Sequence, residues 1–254
     1  MRKPVRGLIG LAGFLVLWEL ASLFGVFDAK FVPSPVTVVS NLVNLFGQQE
    51  FVTDLVATVL AWLISIALAA VIAIPLGLVL GSIRVVRETT SAVVEFLRPV
   101  PSVALIPVVM AAFGDGPQTK IIAAVFAAVW PILFNVIYGL GEIDPQYVAT
   151  AKVYRTGWLR TALSVRLPHV LPFAITGLRL SAAISLIVIV STEFLSGSGI
   201  GIGSYFFQIG EDTGNMPLVV TGVVLAGILG SLINSLLVAV QNRWLTWTPG
   251  SEAA

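Results

Sequence analysis

The sequence predicts an all-α membrane protein of six transmembrane helices with both ends in the cytoplasm. Composition, long apolar runs and a sided distribution of basic residues together make that prediction. Of 254 residues, 57% are hydrophobic and only 11% are charged, with a mean hydropathy of +0.99. Soluble domains carry about 25% charged residues, so this chain has too little charge to coat a water-facing surface. Apolar runs suited to crossing a bilayer lie at 7–27, 55–81, 99–113, 119–140, 173–195 and 217–241. The third is the shortest and is rich in proline. These runs leave no room for a second large soluble domain, so residues 1–254 read as a single transmembrane domain.

The opening stretch, MRKPVRGLIGLAGFLVLWEL, has the charged start and apolar centre of a signal peptide. No small-x-small cleavage site follows, and the apolar run continues to Phe27, so it reads as an uncleaved first span. Pro75, Pro107 and Pro131 fall within candidate spans, where neighbouring helices can satisfy the carbonyl a proline frees. Kinks around a pathway and plain packing irregularity are both open readings.

Orientation follows from lysine and arginine. With the N-terminus inside, 12 of the 14 basic residues fall on the cytoplasmic side, leaving Lys30 and Lys120 outside. Asp28, Glu50, Asp54, Asp115, Glu211 and Asp212 all fall on the outer side. The inverse topology would reverse each bias.

Several chemistries are excluded early. The absence of cysteine removes disulfides, zinc–thiolate sites and iron–sulfur clusters, and a single histidine argues against a transition-metal site. No Walker A pattern occurs, so the chain is not expected to bind ATP. GSGIGIG (197–203) has the look of a phosphate-cradling loop, but no strand precedes it, and an outer loop after a span is the expected role. No nucleophile–base or carboxylate pair shares a sensible location, which leaves an intramembrane enzyme without support.

The longest cytoplasmic excursion, residues 142–172, joins the fourth and fifth spans. VATAKVYRTGWLRTALSVRLPHVLP (148–172) contains Lys152, Arg155, Arg160, Arg166 and the lone His169, with no acid. At about 100° per residue, Ala151, Tyr154, Trp158, Ala162 and Val165 fall on one side and the cations on the other. An amphipathic surface helix is expected, or two short ones, because Gly157 weakens the middle by about 1 kcal/mol relative to alanine. Asp144–Pro145 offers an N-cap and a first-turn proline, and Leu167–Pro168 is expected to stop the helix. Three roles are open: lying on the anionic inner leaflet, merely joining two spans, or docking its apolar face against a soluble partner. Trp158 and Tyr154 beside cations suit a partner interface.

From Asp144 to Pro168 the chain resembles the EAA loop of the permease subunits of bacterial ABC importers, the binding-protein-dependent transport family. That pattern is Glu-Ala-Ala, three residues, Gly, nine residues, Ile, one residue, Leu-Pro. Anchored on Leu167–Pro168, it places Ala149, Thr150 and Ala151 at Glu-Ala-Ala, Arg155 at the glycine and Val165 at the isoleucine. The glutamate is thus an alanine here, the glycine an arginine, and Gly157 is displaced by two. FLRPVPSVALIPVVMAAFGDG (96–116), WPILFNVIYGLGEIDPQYVATA (130–151), LPFAITGLRLSAAISLIVIVSTEFL (171–195), FVPSPVTV (31–38) and GSGIGIG look like the sulfonate, taurine, nitrate and pyrimidine-precursor branch.

The resemblance implies a type I ABC importer permease fold in a bacterial inner membrane. It implies two permease subunits, identical or distinct, above two ATP-binding subunits, with an extracytoplasmic binding protein delivering the solute. ATP and magnesium would be held by the ATPase, with no cofactor in this chain and no nucleic acid as partner. Residues 145–168 would carry the coupling helices, with Ala149, Thr150, Ala151, Lys152, Tyr154, Arg155, Gly157, Trp158, Leu167 and Pro168 at the ATPase. A missing glutamate would weaken one expected contact, and a non-identical second permease keeping the standard motif is one explanation.

Asn135, Ser185, Thr192 and Glu193 are candidate pathway residues, with Arg179 and Ser181 beside them; helix–helix hydrogen bonding is the alternative use. Glu193 either lines an outer gate or reaches the headgroups, since intramembrane acids are costly. Glu19 is expected to pair with another polar group, and His169 to be structural. An ion-coupled secondary transporter would need midplane ionisable groups and internal repeats; only Glu19 is well placed, and no repeat is evident. A membrane-anchored assembly subunit would not need kinked spans or polar pathway candidates. Small organic anions and heterocycles fit as cargo, and the scarcity of acids in the spans disfavours a multiply cationic one.

Overall fold

The computed structural model describes residues 3–82, 89, 101–197 and 199–244. Arg2, Arg84, Arg87, Arg98, Ser198 and the first two residues of the 99–113 run lie outside them. Among the described residues all regular structure is helical: α1 Lys3–Leu23, α2 Pro35–Phe46, α3 Gln49–Ser82, α4 Ile106–Phe113, α5 Pro117–Gly141, α6 Pro145–Val153, α7 Trp158–Thr161, α8 Leu167–Ser196, α9 Ile202–Thr213 and α10 Met216–Trp244.

Among the described residues five helical runs are long and apolar enough to cross a membrane: Val5–Leu23, Gln49–Ser82, Pro117–Gly141, Trp158–Ser196 and Met216–Arg243. They match five of the six expected spans. The exception is the 99–113 run. Its described part is a 3₁₀ turn, Ser102–Leu105, running into the eight-residue α4. Together they reach about 20 Å, short of a ~30 Å hydrocarbon core. Gly114, at φ 78°, closes α4. Large apolar side chains stay exposed along the long helices, Leu60, Val71, Val223 and Leu236 among them, as lipid-facing positions require.

By packing, the chain forms two compact units: Met1–Thr58 with Glu193–Leu229, and Val59–Thr192 with Gly230–Ala254. In the first, Ser34 caps α2 by accepting the Thr37 N–H at 3.3 Å, with Pro35 at the first turn. Its core gathers Phe51 against Phe46, Tyr205 and Phe206, with ring centroids 5.5–6.2 Å apart. Gly222 of α10 packs against Phe206, where an added Cβ would collide with the ring. The Tyr205 hydroxyl donates to Gln48 Oε1 at 2.6 Å. Burial, with Glu50 and Asp54 nearby, pushes this phenol above its usual range and keeps it a neutral donor.

The second unit is built on close helix approach through small residues. Gly77 and Gly81 of α3 face Val136 and Leu140 of α5, and Gly139 of α5 faces Phe173 of α8. At Gly177 of α8 an added Cβ would lie 2.8 Å from both the Ile132 Cα and the Pro131 carbonyl oxygen. Polar side chains fasten the unit as well: Ser181 donates to the Ala128 carbonyl across the α5–α8 crossing, and Trp62 Nε1 of α3 to the Ala182 carbonyl of α8 at 2.9 Å. The three expected prolines divide. Pro75 and Pro131 are interior to α3 and α5. Pro107 instead sits in the first turn of α4, where its missing N–H costs nothing.

Candidate functional site

The basic segment folds as two short helices joined by a locked turn. Asp144 starts α6 as the sequence predicts: its Oδ1 accepts the Gln146 N–H at 2.8 Å, and its carbonyl accepts the Tyr147 N–H. At the other end the Thr156 N–H returns to the Ala151 carbonyl at 3.1 Å, the six-to-one bond of a Schellman motif. Its left-handed residue is Arg155, with φ 51°. That motif favours a glycine there, the residue the resembled pattern would place at this position. Thr156 Oγ1 also donates to the Ala151 carbonyl at 2.8 Å and lies 2.9 Å from Thr161 Oγ1. One threonine thereby ties α6 to α7, and Gly157 stands at the α7 N-cap.

The turn costs the chain some stability. A left-handed L-residue costs about 1–2 kcal/mol, while glycine loses about 0.5–1 kcal/mol in unfolded-state entropy. Arg155→Gly is therefore expected to stabilise the isolated chain by about 0.5–1 kcal/mol, read as a raised thermal midpoint in detergent.

Two expectations are corrected here. Leu167–Pro168 does not end the helix; Trp158–Ser196 is one helical run of 39 residues. A π-turn, Ala162–Arg166, precedes the proline, and the Leu167 N–H reaches back to the Ala162 carbonyl. The wider turn makes room for the ring just where it would collide with the preceding carbonyls. Nor do the apolar residues share one face. The turn at 154–157 breaks the wheel, leaving Tyr154 78% and Trp158 52% exposed while Ala151 and Ala162 are 8% and 5% exposed. Ala149, Thr150, Arg155, Gly157 and Pro168 are exposed and Leu167 is half-buried; Lys152 lies on α6.

A groove of about 1350 Å³ runs beside this segment, lined by Tyr147, Tyr154, Arg160, His169, Thr176 and Gln241 among others. His169 stacks on Phe173 at 6.4 Å, which fits the structural role expected of it. Near the groove, Arg179 donates to Gln241 Oε1 at 3.0 Å and Asn234 Oδ1 at 3.4 Å.

The pathway candidates are bonded within the chain. Ser185 and Thr192 are buried and donate to the carbonyls of Ala182 and Val188 one turn back, at 3.1 and 2.7 Å. Half-buried Asn135 donates to the Pro131 carbonyl at 2.8 Å. Glu19, on α1, is half-buried, and its Oε2 has no hydrogen-bond partner among the described residues. Glu193 is 3% exposed and belongs to a cluster that sequence reasoning missed. Three successive N–H groups open α9, and each meets a side chain: Gly201 gives to Asp54 Oδ1 at 3.0 Å, Ile202 to Thr58 Oγ1 at 3.0 Å, and Gly203 to Glu193 Oε2 at 3.1 Å. Thr58 in turn donates to the Glu193 carboxylate at 2.9 Å, and Ser204 Oγ to the Glu193 carbonyl. The glycine loop does cradle anions, but they are the chain's own carboxylates at a helix N-terminus. The only signal for this in the sequence was the glycine pair Gly201 and Gly203, with Asp54 and Thr58 spaced one helical turn apart.

Residues 73–246 match the family described as binding-protein-dependent transport system inner membrane component. The chain belongs to that family. This permease is 31% identical over 176 residues to the nitrate import permease NrtB of Leptolyngbya laminosa, covering 69% of this chain and 62% of the relative. It is 27% identical over 249 residues to the bicarbonate transport permease CmpB of Synechococcus elongatus, covering 94% and 88%. A chain of the MetNI methionine ABC transporter superposes with TM-score 0.66 at 22% identity, over 76% of this permease and 94% of that chain. That likeness carries the fold, which is the one the sequence resemblance implied.

Proposed function

We propose that this permease forms half of the translocation pathway of an ATP-driven importer for a small oxyanion or similar organic anion, with both termini cytoplasmic. A binding protein outside the membrane would deliver the solute, and two ATP-binding subunits holding ATP and magnesium would drive the cycle beneath a pair of permeases. Residues 145–168 would couple the two. The observation that carries this is the Thr156-locked pair of short helices, which leaves Tyr154 exposed in the turn and Trp158 exposed at the start of a helical run continuous with α8. Such an element is stiff enough to pass a displacement into the membrane span. Relatives named for nitrate and bicarbonate, together with the scarcity of acids in the spans, support an anionic cargo. Among the four pathway candidates Asn135 is the one left partly exposed, and we assign it to the pathway surface; Ser185, Thr192 and Glu193 serve packing.

Uptake by proteoliposomes containing the assembled complex tests this reading. Labelled nitrate, bicarbonate or sulfonate should accumulate only with internal ATP and external binding protein. Accumulation driven by an ion gradient without ATP would contradict it and favour secondary transport.

A further inference from the structure

Between Pro145 and Thr192 the chain contains no acidic residue, so the cations of the basic segment have no counter-charge on their own element. Three of them, Lys152, Arg160 and Arg166, occupy helical or π-helical positions that suit any long side chain. Arg155 differs. It is exposed, it holds φ 51°, and it fills the one position of the turn where a glycine would cost less. Strain of this kind persists where the side chain is useful. Its neighbours in the turn, Val153, Tyr154 and Trp158, are exposed as well, an aromatic and apolar rim of the sort found around interface anchors.

Resting on the coupling role above, we propose that Arg155 is the charged anchor of the coupling segment and pairs with a carboxylate on the ATP-binding subunit. Charge would then be reversed relative to the resembled pattern: Ala149 stands where that pattern has its acid, and a cation stands at the turn instead. A bilayer explains the placement less well. An anionic leaflet reads the amount of basic charge near it, and the neighbouring cations supply that at no conformational cost. A forked donor set on a fixed turn is suited to one carboxylate.

The test uses the full permease–ATPase complex in nanodiscs, with affinity measured over a range of salt. Arg155→Gly preserves the left-handed turn, so the permease should fold at least as well as the parent. Its affinity for the ATP-binding subunit should nevertheless fall about tenfold, with a flatter salt dependence, and Arg155→Lys should restore the salt dependence but only part of the affinity. Arg155→Glu should be rescued by an Asp→Lys or Glu→Lys change on the subunit, at the site a crosslinker placed at Arg155→Cys identifies. Unchanged affinity and salt dependence in Arg155→Gly would overturn the proposal while leaving the coupling role intact. A loss seen only as weaker response to phosphatidylglycerol over phosphatidylcholine would also overturn it, by assigning the cation to lipid. A parent permease that retains no ATP-binding subunit would overturn both.

Discussion

Replacing Gly177 with leucine is expected to remove the folded permease from the membrane. Even a Cβ at this position would meet the Ile132 Cα and Pro131 carbonyl oxygen at 2.8 Å and the Asn135 Cβ at 3.0 Å. Two of these are backbone atoms, which cannot swing aside as a side-chain tip can. Gly177→Ala should cost about 1–3 kcal/mol as overpacking, and leucine more, because α5 and α8 must separate. Separation would also break the Ser181–Ala128 bond that fastens the crossing. Gly227 of α10, with open space around its Cα, supplies the control. Gly227→Ala should be neutral or slightly stabilising from helix propensity. Thermal midpoints in detergent and the yield of inserted protein read all three.

The second large effect is expected at Glu193. Glu193→Ala leaves the Gly203 N–H buried without its acceptor and opens a void beside Thr58, which can still turn to the Asp54 carbonyl at 3.1 Å. An unsatisfied buried group costs about 1–3 kcal/mol, and the void adds to that, for a total of about 2–4 kcal/mol. Gly201→Ala attacks the same cluster sterically, since its Cβ would collide with the Glu193 carboxylate. The two changes should therefore be less than additive: losing the carboxylate relieves the collision, while the double variant keeps the backbone strain of an L-residue at φ 155°. Full stability in Glu193→Ala would mean that the carboxylate is not held by the α9 N-terminus and is free for a pathway role.

The parts of this account legible in the sequence are those set by composition and spacing. Five spans and the Asp144 N-cap follow from apolar period and turn chemistry, each a local property. At 99–113 apolar composition says nothing of the 3₁₀ turn from Ser102 or of the glycine stop at Gly114, so the form of the described part was not legible. Pro168 misled because a rule for ideal α-helices does not anticipate a π-turn ahead of the ring. The Glu193 cluster was hidden for a different reason. Its members sit at 54, 58, 193 and 201–203, and only tertiary packing brings them together across such separations in the chain. Arg155 lay between the two cases: its alignment with a glycine was visible, but the positive φ that gives the alignment meaning was not.

Crosslinking from the locked turn tests the central claim most directly. Cysteine at Trp158 or Tyr154, in the assembled complex with a short bifunctional reagent, should capture an ATP-binding subunit, with a yield that changes between nucleotide-free and ATP-bound states. An intact complex in which neither position captures that subunit in any nucleotide state would contradict the account.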